Sequence, residues 1–383
     1  MKAIHPFPAR MAPEIVKTYI DRVPKDSLVL DPMCGSGTVL RYAVEGGLDC
    51  VGYDMDPLAI LMARGWTQRF HGERLMTDAE LIVERALSYS DADLHTPWIT
   101  EETDAFARYW FAPAQFIGLQ RISQALRRSR MYTRPLLWLC LSRLVITKER
   151  GASLARDVSH SRPHRVKLDN DFDVAAGFLK AARMMTVRHE PDRIVGSAVV
   201  LNRDARCLRE RGRYDLAITS PPYLNAIDYL RGHRLALIWL GYEIEALREI
   251  RARLVGAERK EVSPPIDVCR FIDETEESRI GSREIGWFRR FAADMLAVMG
   301  SLRRAVRPRG RVVLVVGNSM IKGAALDNVG IVVALAEGVG LRLESRSSRE
   351  IPARHRYLPP PTVGSALAPR MRSEGVLEFI VDE

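Results

Sequence analysis

Within the first seventy residues, the segments SLVLDPMCGSGTVLRYAVEGG and LDCVGYDMDPLAILMARG repeat one plan. Each opens with a short apolar run, turns sharply, and continues with apolar positions at helical spacing. Pro57 stands where a proline suits the first turn of a helix. Two strand–turn–helix units placed so closely imply a parallel α/β sheet, and this constrains the chain more than any other feature.

The pattern then changes. From about residue 71 to 193 the segments TDAELIVERALSY, TDAFARYWFAPAQFIGLQRISQALRRSR and RPLLWLCLSRLVI read as helices, and SLARDVSHSRPHRVKLDN reads as a polar loop. Strands return in SAVVLNRDARCL, YDLAITSPPY and RVVLVVGNS, with a charged helical stretch from about 230 to 305 and a helix in VGIVVALAEGVG. LRLESRSSREIP and GVLEFIVDE read as an antiparallel pair at the C-terminal sheet edge. The expected architecture is one doubly wound α/β domain, residues 1–70 and 194–383, interrupted by a mainly helical insertion at 71–193.

No run reaches the roughly 18 apolar residues that a membrane span needs. PLLWLCLSRLVI is the longest, and Ser142 and Arg143 within it favour a buried helix. MKAIHPFPARM has no apolar core of signal-peptide length. The five cysteines form no CxxC pair, which fits reduced thiols in a cytoplasmic protein. The net charge of +9 is concentrated: residues 120–167 hold twelve basic side chains against the acids Glu149 and Asp157. Without interleaved acids for salt bridges, this run reads as a polyanion-binding surface.

Gly35 and Gly37, in DPMCGSGT, let the backbone turn beyond the first strand and let a ligand approach the main chain. A dinucleotide fingerprint would want a further glycine at position 40, which is leucine. Asp54 ends the next strand, where a carboxylate can accept from both hydroxyls of a ribose. The pattern fits a nucleoside-containing cofactor without requiring a pyrophosphate; a tight turn with a helix-capping aspartate would also give it.

A second corner, TSPPYLNAID at 219–228, follows the strand YDLAI. Pro221 and Pro222 have fixed φ angles and no N–H, so the corner is stiff and its carbonyls point in set directions. The exocyclic amine of a nucleobase has its lone pair delocalised into the ring. It attacks a methyl donor when both N–H bonds are held by acceptors, and Ser220 Oγ with the Pro221 carbonyl offers two. Acceptors already in position need no reorganisation during reaction. Tyr223 would stack on a base flipped from its helix, worth roughly 1–3 kcal/mol.

Taken together, DPMCGSGT, VGYDMDP and TSPPY resemble the S-adenosylmethionine-dependent amino-methyltransferases, especially the DNA enzymes acting on cytosine N4 or adenine N6. The resemblance covers roughly residues 5–65 and 196–383 and implies a Rossmann-like methyltransferase sheet. It implies that Asp31, Pro32, Cys34, Gly35, Gly37 and Thr38 wrap the methionine end of the cofactor, that Asp54 holds the ribose, and that Asp204 in NRDA reaches the adenine. The segment HPFPARM, with His5, Pro6 and Phe7, would touch the cofactor carboxylate, and Ser220 to Tyr223 would be catalytic. Carboxylates and aromatic rings suit the positive sulfur of this cofactor. No metal is required; His160 and His164 have ligand-like spacing but lack acidic or thiol partners.

The insertion precedes NRDA, so no target-recognition region carries over from the family, and residues 71–193 are the candidate for that role. Arg156, His160, Arg162, His164 and Arg165 are candidate contacts to phosphates or guanine edges, with a basic connector as the plainer alternative. ARHRYLPPP at 353–361 is a second basic, aromatic loop, and Asp228 and Arg231 follow the tyrosine closely. Serine at the head of the motif leans toward cytosine N4, with adenine N6 as alternative. Rival readings are a guanine-N2-type RNA methyltransferase, a nucleotide-cofactor oxidoreductase, and a nucleic-acid-binding protein on a methyltransferase scaffold. The expected partner is DNA, with RNA as alternative and a restriction nuclease or defence-system protein as a further one.

Overall fold

A computed structural model describes every residue except 1–3, 8–9, 146, 148–149, 157–162, 223, 225–228, 258–263, 265, 273–279, 323, 352–372 and 383. The first part of the chain runs α1 (Pro13–Ile20), β1 (Leu28–Asp31), α2 (Thr38–Glu45), β2 (Asp49–Asp54) and α3 (Pro57–Thr67). Helices α4 (Gly72–Ser88), α5 (Glu101–Trp110), α6 (Pro113–Arg127) and α7 (Arg134–Val145) follow, then β3 (Ala155–Arg156), β4 (His164–Arg165) and α8 (Val174–Arg188). Next come β5 (Ala198–Asn202), β6 (Tyr214–Thr219), α9 (Tyr229–Leu237), α10 (Ile244–Arg253), α11 (Ser282–Ala305) and β7 (Val306–Gly317). The chain ends with β8 (Ser319–Ile321), β9 (Ala324–Leu326), α12 (Asn328–Gly338), β10 (Leu341–Glu350) and β11 (Ser373–Val381). No described helix is long and apolar enough to cross a membrane.

Seven strands form one sheet in the order β10-β11-β7-β6-β1-β2-β5. β5, β2, β1, β6 and β7 are parallel, whereas β11 is antiparallel to both β7 and β10. This is the doubly wound, Rossmann-like arrangement expected from the sequence, with its antiparallel pair at the C-terminal edge. The central strands are apolar on both faces because both are covered. Leu30, Ala217, Val312 and Leu314 join a core with α11 and α12. Their alternating neighbours Val29, Leu216, Ile218, Val313 and Val315 join another with α1 and α2.

A third core lies among the helices. It joins α3 to α4–α8, and it also contains α9, residues 238–240 and α10. Trp239 is fully buried, with Phe111 and Phe116 edge-on at 5.0 and 5.4 Å. Ser123 Oγ donates to the Trp239 carbonyl at 2.5 Å and Trp98 Nε1 to that of Ile238 at 2.7 Å. The helices that follow the proline corner therefore pack with those of 72–188. The two ends of that stretch are tied together: Arg41 donates to the Trp66 and Glu190 carbonyls at 2.7 and 3.0 Å, and Arg69 to that of Ile194 at 2.7 Å. The stretch SLARDVSHSRPHRVKLDN, expected as loop, contains the short antiparallel pair β3–β4, with Arg156 opposite His164.

Candidate active site

The chain order of the sheet reverses between β1 and β6. Strands β1, β2 and β5 extend one way and β6, β7, β11 and β10 the other. Open α/β sheets bind ligands at the carboxyl ends of strands beside such a reversal. Both sequence motifs leave the sheet there, DPMCGSGT from β1 and SPPY from β6. They are joined directly: Thr219 Oγ1, the residue before Ser220, donates to Asp31 Oδ1 at 2.8 Å in a buried hydrogen bond. Pro221 is buried and Pro222 half-buried; Tyr223 lies outside the described residues. Beyond it, the Leu224 carbonyl accepts from Ser319 Oγ at 2.7 Å, and Ser319 Oγ in turn accepts from Asn328 Nδ2 at 2.7 Å. The corner is held from the β1 side before it and from the β8–α12 side after it.

The glycine turn is built as its sequence requires. Gly35 and Gly37 have φ of +48° and +86°, and a Cβ on Gly37 would sit 2.8 Å from the Ala63 Cα. Pro32, Cys34 and Thr38 are buried in the wall of the turn. Asp54 Oδ2 accepts from the Gly35 amide at 2.8 Å, and Oδ1 from that of Asp56 at 2.9 Å. With Met55 also donating to it, the carboxylate still keeps acceptor capacity for a hydroxyl. Burial pushes the Asp31 carboxyl up to about 7, against hydrogen bonds from Thr219 and Met33 that favour its ionised form. Burial, with the charge of Asp56, raises Asp54 to about 6. A buried carboxyl and a half-buried one, each within the other's field, suit a ligand carrying positive charge and hydroxyls.

The N-terminal segment lies over this turn. The Phe7 ring is where a Cβ on Gly35 would point, 3.1 Å away. Phe7 stacks on Tyr229, the first residue of α9, with centroids 5.1 Å apart. His233, one turn along α9, donates from Nδ1 to Asp56 Oδ2 at 2.5 Å. His5 is buried, and its Nε2 pairs with Ser142 Oγ on α7 at 2.7 Å. Burial, then the neighbouring Arg143 charge, pushes the His5 imidazole well below its usual range. Arg143 Nη1 donates to the Ile4 carbonyl at 2.6 Å, and Arg10 to that of His5. Sequence reading placed His5, Pro6 and Phe7 here but missed their supports on α7 and α9. It also quoted Thr219 without giving it a role, although its position beside Ser220 was the available signal.

Asp204 follows β5, as its motif suggests, but its carboxylate is engaged. It caps the turn at 205–207 and is held by the Arg206 guanidinium at 2.7 Å, which also pairs with Asp294 on α11. Arg156, His164 and Arg165 come together, exposed, on the β3–β4 hairpin, and Arg165 lies 5.0 Å from the Tyr109 ring centroid. His160, Arg162, Asp228 and the segment 353–361 fall outside the described residues. Several bases of the 120–167 run have partners within the protein. Arg121 pairs with Asp91, Arg150 with Asp171, Arg127 lies over Trp98 and Arg128 over Tyr89. These acids and rings lie beyond the run itself, so part of its charge is already engaged within the protein, although Arg127, Arg128 and Arg150 are exposed.

No family model matches the chain. It is similar to three type II methyltransferases over limited stretches. M.MvaI from Kocuria varians is 27% identical over 132 residues, covering 32% of this chain and 28% of that protein. M.BsoBI from Geobacillus stearothermophilus is 21% identical over 277 residues, 62% of this chain and 52% of that protein. M.MjaII from Methanocaldococcus jannaschii is 30% identical over 73 residues, 19% and 14% of the two chains. The chain thus spans about half or less of these relatives. Among solved structures, a putative DNA modification methylase from Thermus thermophilus aligns with 24% of this chain and 37% of its own, at 15% identity and a TM-score of 0.19. A S-adenosylmethionine-dependent methyltransferase from Methanosarcina mazei aligns with 98% of this chain and 100% of its own, at 8% identity and a TM-score of 0.34.

Proposed function

We propose that this chain is an S-adenosylmethionine-dependent methyltransferase acting on the exocyclic amine of a nucleic-acid base, with cytosine N4 of DNA as the target and adenine N6 as the alternative. The observation that carries the reading is the Thr219–Asp31 hydrogen bond, which joins the proline corner to the glycine turn at the sheet reversal. Partial similarity to type II methyltransferases supports the same reaction class. The serine heading the motif favours cytosine over adenine.

When bound, the cofactor supplies an electrophilic methyl group beside a sulfonium. Asp31 and Asp54 carry the negative charge that complements it, and Asp54 accepts from the ribose hydroxyls. Gly35 and Gly37 give the turn its left-handed backbone, with Phe7 over Gly35 and Ala63 against Gly37, and this turn would hold the methionine end of the cofactor. Ser220 Oγ and the Pro221 carbonyl accept the two amine N–H bonds, so the nitrogen lone pair localises toward the methyl carbon. Tyr223 stacks on the flipped base.

The test is incubation with labelled S-adenosylmethionine and, separately, duplex DNA and bulk RNA, followed by digestion and mass spectrometry of the nucleosides. N4-methylcytosine in DNA is the expected product. N6-methyladenine would move the target to the alternative, and label confined to RNA would overturn the substrate while leaving the chemistry. Tyr223→Ala should lower turnover by about 5- to 150-fold while cofactor affinity is unchanged, since base stacking of this kind is worth roughly 1–3 kcal/mol. Loss of cofactor binding in that variant would mean the motif has been misassigned.

A further inference from the structure

A concentration of positive charge outside the motifs is left unexplained by the methyl-transfer chemistry. Helix α8 carries three basic residues and no acid. Lys180, Arg183 and Arg188 fall on one of its faces with Met184 and Val187, lining an open groove of about 380 Å³. Lys180 and Arg183 are exposed, as is Val187 at 84%. Behind the groove stand two more guanidinium groups. Arg143 reaches Met184 Sδ at 3.2 Å, and Arg10 lies over the Trp66 ring. The Nε–H groups of Arg10 and Arg143 are buried with no acceptor among the described residues. Burial, together with the charges of neighbouring arginines, lowers both guanidinium groups to about 10. Clustered buried cations are costly unless an anion compensates them.

We propose that this face is a phosphate-binding track that holds the sugar–phosphate backbone of the nucleic-acid substrate beside the active site. The inference rests on the methyltransferase reading for the class of its partner. From Lys180 to Arg188 the face extends about 12 Å along the helix. That suits a polyanion engaging several cations in turn, where a lone carboxylate would engage one end. The track is coupled to the site through the N-terminal segment. Arg143 and Arg10 donate to the carbonyls of Ile4 and His5, and Phe7, two residues on, covers Gly35. This face is separate from the β3–β4 hairpin that the sequence singled out.

The test compares this chain with its Lys180→Gln/Arg183→Gln double variant. Both side chains are exposed, so the fold is preserved. Binding of a labelled mixed-sequence DNA duplex is measured across salt concentrations, and S-adenosylmethionine binding is measured by calorimetry. The expected result is an affinity lower by about tenfold, with the slope of log K against log salt shallower by about one per residue removed. Cofactor affinity should be unchanged. An unaltered DNA affinity and slope would overturn the track. So would a loss of cofactor affinity alone, which would assign the cluster to the cofactor carboxylate. If the unmodified protein bound no DNA, the substrate in the proposed function would fall first, and with it this inference.

Discussion

Asp31 and Asp54 determine how the site answers to pH. Their folded-state values, about 7 and about 6, lie above the usual carboxylate range, chiefly through burial. Between pH 6 and 7 the pocket therefore holds protons that a cationic ligand must expel. S-adenosylmethionine affinity should rise with pH through this window, by over tenfold between pH 5.5 and 7.5, since each unit of pKa shift corresponds to a factor of ten. Calorimetry in two buffers of different ionisation enthalpy should show proton release, and pH-independent binding would contradict the assignment. The same raised values make these groups destabilise the unliganded fold increasingly as pH climbs from about 4 to about 7. Asp54→Ala should weaken cofactor binding without abolishing folding. Gly37→Ala should destabilise by at least about 1–3 kcal/mol in thermal unfolding, because the residue has φ of +86° and its Cβ would meet Ala63. Asp54 and the glycines were legible because a strand end and a turn announce themselves locally. Thr219 was not, since its role depends on Asp31, 188 residues away in the chain.

At the scale of elements, periodicity gave the seven strands of the main sheet and most helices, including a buried α7 with Ser142 inside it, but not the short pairs β3–β4 and β8–β9. Packing partners were harder to read. Nothing in the segment after the corner says that α9 and α10 join the helices of 72–188, because apolar spacing shows that a face is buried without saying against what. Trp239 is where that join is densest, enclosed by Phe111 and Phe116 and bonded through its carbonyl to Ser123. Trp239→Ala should cost about 3–5 kcal/mol, read from denaturant unfolding. A cost below 1 kcal/mol would mean that this core is looser than its packing indicates. The basic run shows the same blindness. Counting charges inside 120–167 cannot see Asp91, Asp171 or the Ile4 carbonyl, which lie outside it and engage Arg121, Arg150 and Arg143.

Across the whole molecule, two cores sandwich the sheet and a third fills the helical layer, with α3 contributing to both sides of the boundary. Ile60 and Ala63 face the sheet core, while Leu58, Met62 and Trp66 face the helical one. A helix shared in this way should couple the two parts, and scanning calorimetry should show one cooperative transition. Two resolved transitions would show that the helical layer melts independently. The doubly wound sheet was legible because two strand–turn–helix units leave little choice, whereas the joining of the layers is a tertiary matter. Helix α9 begins only a few residues after Ser220 and Pro221, yet it is rooted in the helical layer rather than the sheet. Leu224 ties the corner to the β8–α12 side, while α9 belongs to the helical layer, so the segment around Ser220 and Pro221 stands where three separately packed parts of the molecule meet.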